Sequence, residues 1–224
     1  MELSIIETPA SKISLDFIRS NLPLAGVPGV PEIRLHKAGP ASGLSRLADS
    51  EADFATPYWA YHWGGGLALA RYVLDNPACV ANRKVLDLGA GSGLVAIAAA
   101  KSGAARVTAA DIDPYAMAAI ALNAAANTVT LATHLGDLTR GAPPAVDIVL
   151  VADLFYAADL AEQVTRFLDR CLAANIDILI GDPWRAHLPR KRLKLIAEYP
   201  GMDFGGSAAS AHATNAVFAF MPSA

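Results

Sequence analysis

From Trp63 onward the chain alternates short apolar runs with Ala-rich stretches, and this alternation constrains the fold more than any other feature. Leu67, Ala70, Arg71 and Leu74 mark a helix ending near Asn76-Pro77. KVLDL (84–88) reads as a buried strand, Gly93 to Ser102 as a helix, and RVTAAD (106–111) as a second strand. Asp113 is placed to cap a helix whose first turn holds Pro114. VTLATH (129–134), DIVLVA (147–152) and IDILIG (176–181) read as strands, with a helix over 158–173. Two more strands fall near 194–199 and 215–221, with no clear long helix between them. Strands separated by helices dictate a parallel sheet covered on both faces. The expectation is an α/β fold with seven strands, mostly parallel, one antiparallel edge strand, and helices on both sides.

Residues 1–58 lack this rhythm and read as an N-terminal extension packed on a core domain of residues 59–224. Thr8 and Pro9 start a helix, Leu22 to Pro31 form a Pro- and Gly-rich connection, and a short strand covers 32–36. The 224 residues suit one domain with a full core. The apolar fraction is 54%, much of it Ala, yet no run nears the roughly 18 residues of a membrane span. MELSIIETPASK has neither the basic start nor the apolar core of a signal peptide, so a cytoplasmic location is expected. A net charge of -3 gives no drive toward nucleic acid. Cys79 and Cys171 lie far apart, and His36, His62, His134, His187 and His212 show no metal-ligand spacing.

DLGAGSG, residues 87–93, follows the first core strand. Gly89, Gly91 and Gly93 let the backbone turn tightly and approach a ligand. Nicotinamide and flavin sites use similar loops, but Asp87 would repel a pyrophosphate lying over the glycines. A ligand carrying an ammonium and a sulfonium is favoured there, which points to S-adenosylmethionine. Asp111 ends the next strand about twenty residues on, the separation of a ribose-binding carboxylate. Ile112 then lies where an adenine face can rest, and Asp137, after the third strand, is placed to accept from the adenine amino group. The alternative for Asp137 is an ordinary turn aspartate.

With these residues placed, the chain resembles the seven-strand, Rossmann-like S-adenosylmethionine-dependent methyltransferases. Within them it is most similar to the electron transfer flavoprotein β-subunit lysine methyltransferase family. The resemblance rests on TPYWAYHWGGGLALARYVLDNP (56–77), KVLDLGAGSGLVAIAAAKSGA (84–104), ADIDPYAMAAIALNAAAN (110–127), DLFYAADLA (153–161) and IGDP (180–183). It implies protein-lysine N-methylation, with S-adenosyl-L-homocysteine as product and the flavoprotein β-subunit as partner. It also implies that Trp63 covers the cofactor. Vertebrate members work in mitochondria, but this N-terminus has no Arg-rich, acid-poor presequence.

Enzymes that methylate planar amino groups carry Asn/Asp-Pro-Pro-Tyr at the end of the fourth strand. Here the tetrapeptide is Asp153-Leu154-Phe155-Tyr156, without proline. A lysine is tetrahedral and cationic, so Asp153 is expected to receive it, with Phe155 and Tyr156 flanking its stem. Tyr58 and Trp59 read either as walls of the acceptor channel or as core, and Gly64-Gly65-Gly66 either as a close-approach loop or as a helix start. Asp182-Pro183 is expected at the acceptor mouth. The basic run Arg185, Arg190, Lys191, Arg192 and Lys194 reads as a solvated face or a docking patch. Rival functions are a ribosomal-protein lysine methyltransferase, a nicotinamide-dependent oxidoreductase disfavoured by Asp87, and a module that binds cofactor without turnover.

Overall fold

The computed structural model describes residues 9–45, 56–201 and 214–223. Helix α1 (Pro9–Asn21) leads into a hairpin, β1 (Leu24–Val27) and β2 (Val30–His36). A 3₁₀ turn, Tyr58–Ala60, precedes α2 (Gly64–Asp75). The core then runs β3 (Lys84–Leu88), α3 (Leu94–Lys101), β4 (Arg106–Asp111), α4 (Pro114–Ala126), β5 (Ala132–Leu135), β6 (Ile148–Ala152), α5 (Ala158–Ala173), β7 (Asp177–Asp182), β8 (Leu193–Pro200) and β9 (Thr214–Phe220).

Seven strands form one sheet in the order β5-β4-β3-β6-β7-β9-β8. The pairs from β5 to β7 are parallel, and β9 runs antiparallel to both β7 and β8. The reversed strand is therefore second from the edge, and β8 closes the sheet as its hairpin partner. Alternation along the strands splits the core. Val85, Ile148 and Leu150 face Leu69, Val73 and Ile97 on one side. Leu86, Leu88, Val149 and Val151 face Phe155, Phe167 and Phe218 on the other.

Two sequence expectations shift. The connection expected from Leu22 to Pro31 contains β1 and the start of β2. Pro28 and Gly29, the latter at φ 78°, make a tight turn there, so the Pro-Gly pair marks a hairpin instead of a linker. The strand expected over 129–134 begins at Ala132, because α4 ends late and Thr128, at φ 57°, turns the chain. Asp113 caps α4 as expected, accepting from the Tyr115 amide at 2.8 Å.

The hairpin is tied to α4 by paired amides. Asn127 accepts from the Arg34 amide at 3.0 Å and donates to the Arg34 carbonyl at 2.6 Å. Asn123 accepts from the His36 amide at 2.7 Å and donates to the Ser92 carbonyl of the glycine loop at 2.8 Å. Helix α2 enters the sheet by a different route. A methyl group at Gly65 would strike the Gly181 carbonyl, and one at Gly181 would strike the Gly65 carbonyl. Backbone meets backbone there, so nothing can yield cheaply. Gly65→Ala is expected to lower the unfolding free energy by ~2 kcal/mol or more in urea titration. Gly39→Ala, whose added methyl meets nothing within 4 Å, serves as the comparison and is expected to stay within ~0.5 kcal/mol of wild type.

Candidate active site

Strand order reverses between β3 and β6, because β3 continues to β4 on one side while β6 continues to β7 on the other. Open α/β sheets leave a crevice at the carboxyl ends of the strands at such a point. A cavity of about 720 Å³ lies there, lined by residues of the glycine loop, Asp111, Ile112, Asp153, Tyr156 and Arg185 among others.

The loop after β3 takes positive φ at Gly89 (70°), Gly91 (51°) and Gly93 (82°), which glycine adopts without strain. The amides of Gly89 and Ala90 both donate to the Ala110 carbonyl, and the Gly91 amide donates to Asp111 Oδ2 at 2.8 Å. A methyl at Gly89 would meet Leu154 Cδ2 at 2.7 Å, so the loop and the 153–156 segment are packed as one wall. Asp111 Oδ1 accepts from the Asp113 amide at 3.0 Å. Burial holds the Asp111 carboxyl above the usual carboxylate range, against the pull of these amides. Ile112 beside it is 71% exposed and lines the cavity as an apolar shelf. Asp87, only 2% exposed, accepts from the Ala96 amide at 2.9 Å. Burial pushes its carboxyl up to about 7, with the Ala96 amide opposing and the charge of Asp111 adding.

Asp137 also reaches the cavity wall, but its carboxylate is filled. Oδ1 accepts from the Thr139 amide at 2.9 Å and from its hydroxyl, while Oδ2 accepts from Arg140 Nε and Gln163 Nε2, each at 2.9 Å. Burial raises this group, yet the bonds from Thr139, Arg140 and Gln163 outweigh it and leave it low. It caps the turn Leu138–Arg140, as a turn aspartate does.

The segment expected to hold the acceptor departs further from expectation. Asp153 sits at φ 61°, and its amide donates to the Gly181 carbonyl at 3.1 Å. Its carboxylate is not bare. Oδ1 accepts from the Gly65 amide at 3.0 Å and Oδ2 from the Gly66 amide at 2.6 Å, so it sits on the positive N-terminus of α2. Arg185 Nη1 binds the same Oδ1. Burial raises the Asp153 carboxyl, and Arg185 with the two amides pulls it back. Gly64-Gly65-Gly66 is thus both a helix start and a close-approach segment.

Phe155 does not flank a slot. It is fully buried in the cluster with Phe167 and Phe218, because a residue two beyond Asp153 falls back beneath α5. Tyr156 and Tyr58 are exposed, and Trp63 beside them is partly buried. Tyr58 lies 5.6 Å from Tyr156 and 5.7 Å from Trp63, and Trp63 Nε1 donates to the Tyr58 carbonyl at 2.9 Å. Trp59 is 1% exposed and stacks on Tyr115 at 6.0 Å, so it supports the wall from behind. Asp182 is fully buried and does not reach the mouth; its Oδ1 accepts from the Arg185 amide at 2.7 Å.

The sequence reading missed Arg185 as a site residue. It stands apart from the rest of its run: Arg190 covers Trp184 at 5.6 Å, Arg192 covers Phe220 at 4.6 Å, and Arg185 turns inward to two acids. Its signal was its place three residues after the acid that ends β7. Among the described residues no three His, Cys, Asp or Glu side chains converge on a metal-sized site; His212 lies outside them.

Residues 71–177 match the family profile described as ribosomal protein L11 methyltransferase. The electron transfer flavoprotein beta subunit lysine methyltransferase of Danio rerio is 43% identical over 175 residues, covering 75% of this chain and 68% of that protein. Its Homo sapiens counterpart is 39% identical over 172 residues, covering 74% of this chain and 66% of that protein. The chain belongs to the electron transfer flavoprotein beta subunit lysine methyltransferase family. It spans about two thirds of the length of these relatives. A ribosomal protein L11 methylase from Lactobacillus delbrueckii subsp. bulgaricus shares the fold at a TM-score of 0.50 and 22% identity, over 69% of this chain and 77% of that one. The same cavity is lined by the glycine loop, Asp111 and Ile112 and by Asp153, Leu154 and Tyr156.

The two aromatics of that segment separate cleanly in unfolding experiments. Phe155→Ala is expected to cost ~3–5 kcal/mol, the usual effect of emptying a core site. Tyr156→Ala, at a residue 49% exposed, is expected to cost under ~1 kcal/mol. Urea titration of both variants checks the assignment.

Proposed function

We propose that this chain is an S-adenosylmethionine-dependent protein-lysine N-methyltransferase acting on the β-subunit of electron transfer flavoprotein. The observation that carries this reading is one cavity lined by the glycine loop, Asp111 and Ile112 and by the rings of Tyr58, Trp63 and Tyr156. The residues present fit the cofactor. Asp111 has two oxygens fixed by backbone amides, Ile112 is an open apolar shelf, and a methyl at Gly91 would meet only Trp59 Cα, at 3.7 Å, so the loop backbone is open to a ligand. Asp87 supplies negative charge for an ammonium. When bound, S-adenosylmethionine supplies an electrophilic methyl on a sulfonium. Asp111 would accept from the ribose hydroxyls, and Trp63 would cover the methionine end.

Tyr58, Tyr156 and Trp63 would line the stem of an incoming lysine and exclude water from its nitrogen. Alignment in a dry channel supplies most of the acceleration, because the sulfonium is already a good leaving group. Asp153 fixes the floor of this channel through α2 and Arg185. The two free thiols, Cys79 and Cys171, suit a reducing compartment such as the cytoplasm. Among the described residues no helix is long and apolar enough to cross a membrane.

The deciding experiment incubates the purified protein with labelled S-adenosylmethionine and either the flavoprotein β-subunit or ribosomal protein L11, then maps the modified residue. Methyl-lysine on the β-subunit supports the reading. Methylation of L11 alone replaces its substrate, and methylation of neither overturns it. Asp111→Ala is expected to weaken S-adenosylhomocysteine binding by roughly 10- to 100-fold in calorimetry, since bonds to a charged acceptor are lost.

Affinity should also depend on pH through Asp87. With a carboxyl near 7, the group is mostly neutral at pH 6 and mostly ionised at pH 7.5. An ammonium ligand favours the ionised form, so binding tightens by about five- to tenfold across that window, and Asp87→Asn flattens the response. The same raised value means the native protein holds the extra proton. The stability of the ligand-free protein therefore falls as pH rises from about 4 to about 7.

A further inference from the structure

Lysine methylation needs a neutral amine, yet a lysine arrives protonated, and a carboxylate facing it would keep it so. The structure assigns to Arg185 the task of cancelling that carboxylate: it is a positioning residue whose fixed charge keeps Asp153 from pairing with the acceptor ammonium. This deepens the proposed function and rests on it.

Arg185 is built into place. Its amide is held by Asp182 Oδ1 at 2.7 Å, its guanidinium bonds Asp153 Oδ1, and Asp182 Oδ2 lies 3.5 Å from the same nitrogen. The preceding Trp184 takes φ 67°, a conformation a bulky residue adopts only when its surroundings impose it. The Arg185 side chain is 15% exposed and Asp153 12%, so the pair is shielded from solvent but borders the cavity. On the α2 side Asp153 meets the Gly65 and Gly66 amides, again positive. Asp153 thus faces two positive partners before any substrate enters.

Other charges border the same cavity. Asp87, Asp111, Asp113 and Asp137 lie on the glycine-loop side, and His62 and the Tyr58 and Tyr156 hydroxyls lie on the aromatic side. The four acids are held by backbone amides, and Asp137 also by Arg140 and Gln163, on the nucleoside side of the site. Asp153 is the acid at the acceptor end, and Arg185 pairs it. An amine entering between the aromatic rings therefore meets a compensated ion pair. It loses its proton to water, its lone pair forms the N–C bond, and the C–S bond breaks with its electrons left on sulfur.

The test compares wild type with Arg185→Gln and Arg185→Lys, using labelled S-adenosylmethionine and the flavoprotein β-subunit over pH 6.5–10. Wild type is expected to show an ascending limb of kcat well below the ~10.4 of a free lysine. Arg185→Gln is expected to move that limb up by about one to two pH units, with KM for the protein unchanged or lower. Arg185→Lys is expected to stay near wild type. A readout independent of turnover is the titration of the acceptor lysine, labelled with ¹³C at Cε, in the complex with S-adenosylhomocysteine. Its midpoint should rise by the same amount in Arg185→Gln. An Arg185→Gln limb and midpoint equal to those of wild type overturn the inference. Should Arg185→Gln fail to fold, a wild-type limb or midpoint at the ordinary lysine value overturns it as well. A wild-type enzyme that methylates no lysine sinks the proposed function itself, an outcome distinct from these.

Discussion

The Asp153 carboxylate, seated on the first amides of α2, is the contact on which the geometry of the site depends. One side chain joins the end of β6 to the start of α2 through Gly65 and Gly66, and to the loop after β7 through Arg185. The arrangement demands glycine at the helix start, because α2 meets Gly181 backbone to backbone. A carboxylate at a helix N-terminus contributes up to ~2 kcal/mol when partly buried, and breaking a buried pair costs ~3–5 kcal/mol. The direction of α2, the position of Trp63 at its cap, and the floor beneath Tyr58 and Tyr156 all follow from this one junction.

The glycine-loop end of the cavity is held from elsewhere. Asn123 is fully buried in α4, accepting from the hairpin at His36 and donating to the Ser92 carbonyl within the glycine loop. Leaving either bond unmade would strand a buried polar group at a cost of ~1–3 kcal/mol. The N-terminal hairpin therefore does more than cover α4: its last residues brace the loop that shapes the cavity. The Ala38 amide adds a bond to the Ala60 carbonyl at 2.8 Å, joining the same segment to the turn that carries Tyr58 and Trp59.

These two supports explain which parts of the molecule were legible in the sequence. The sheet, the α4 cap and the glycine loop with Asp111 depend on residues close in sequence, whose spacing and turn chemistry carry the signal. Asp113 to Tyr115 and Gly91 to Asp111 are contacts of this kind. The Asp153 end was read less well because its partners lie far apart. Asp153 was recognised as an acid at a strand end, but its partners Gly65 and Arg185 lie 88 and 32 residues away. Local pattern cannot say that a carboxylate is already spoken for. Phe155 illustrates the converse. Two adjacent aromatics look alike in sequence, yet the turn at Asp153 sends one beneath α5 and the other toward the cavity.

The charge plan of the cavity then follows from desolvation. Asp87 is buried with one amide donor and is lifted to about 7, so a cationic ligand gains from ionising it. Asp153 is less deeply buried and carries a permanent cation beside it, so it has less to offer a second one. Two acids, similar in sequence context at the ends of adjacent strands, thus differ in what they can bind. Under the proposed function, one remains available to the cofactor's ammonium, which must stay positive, and the other is neutralised where the acceptor amine must give up its charge before it can react.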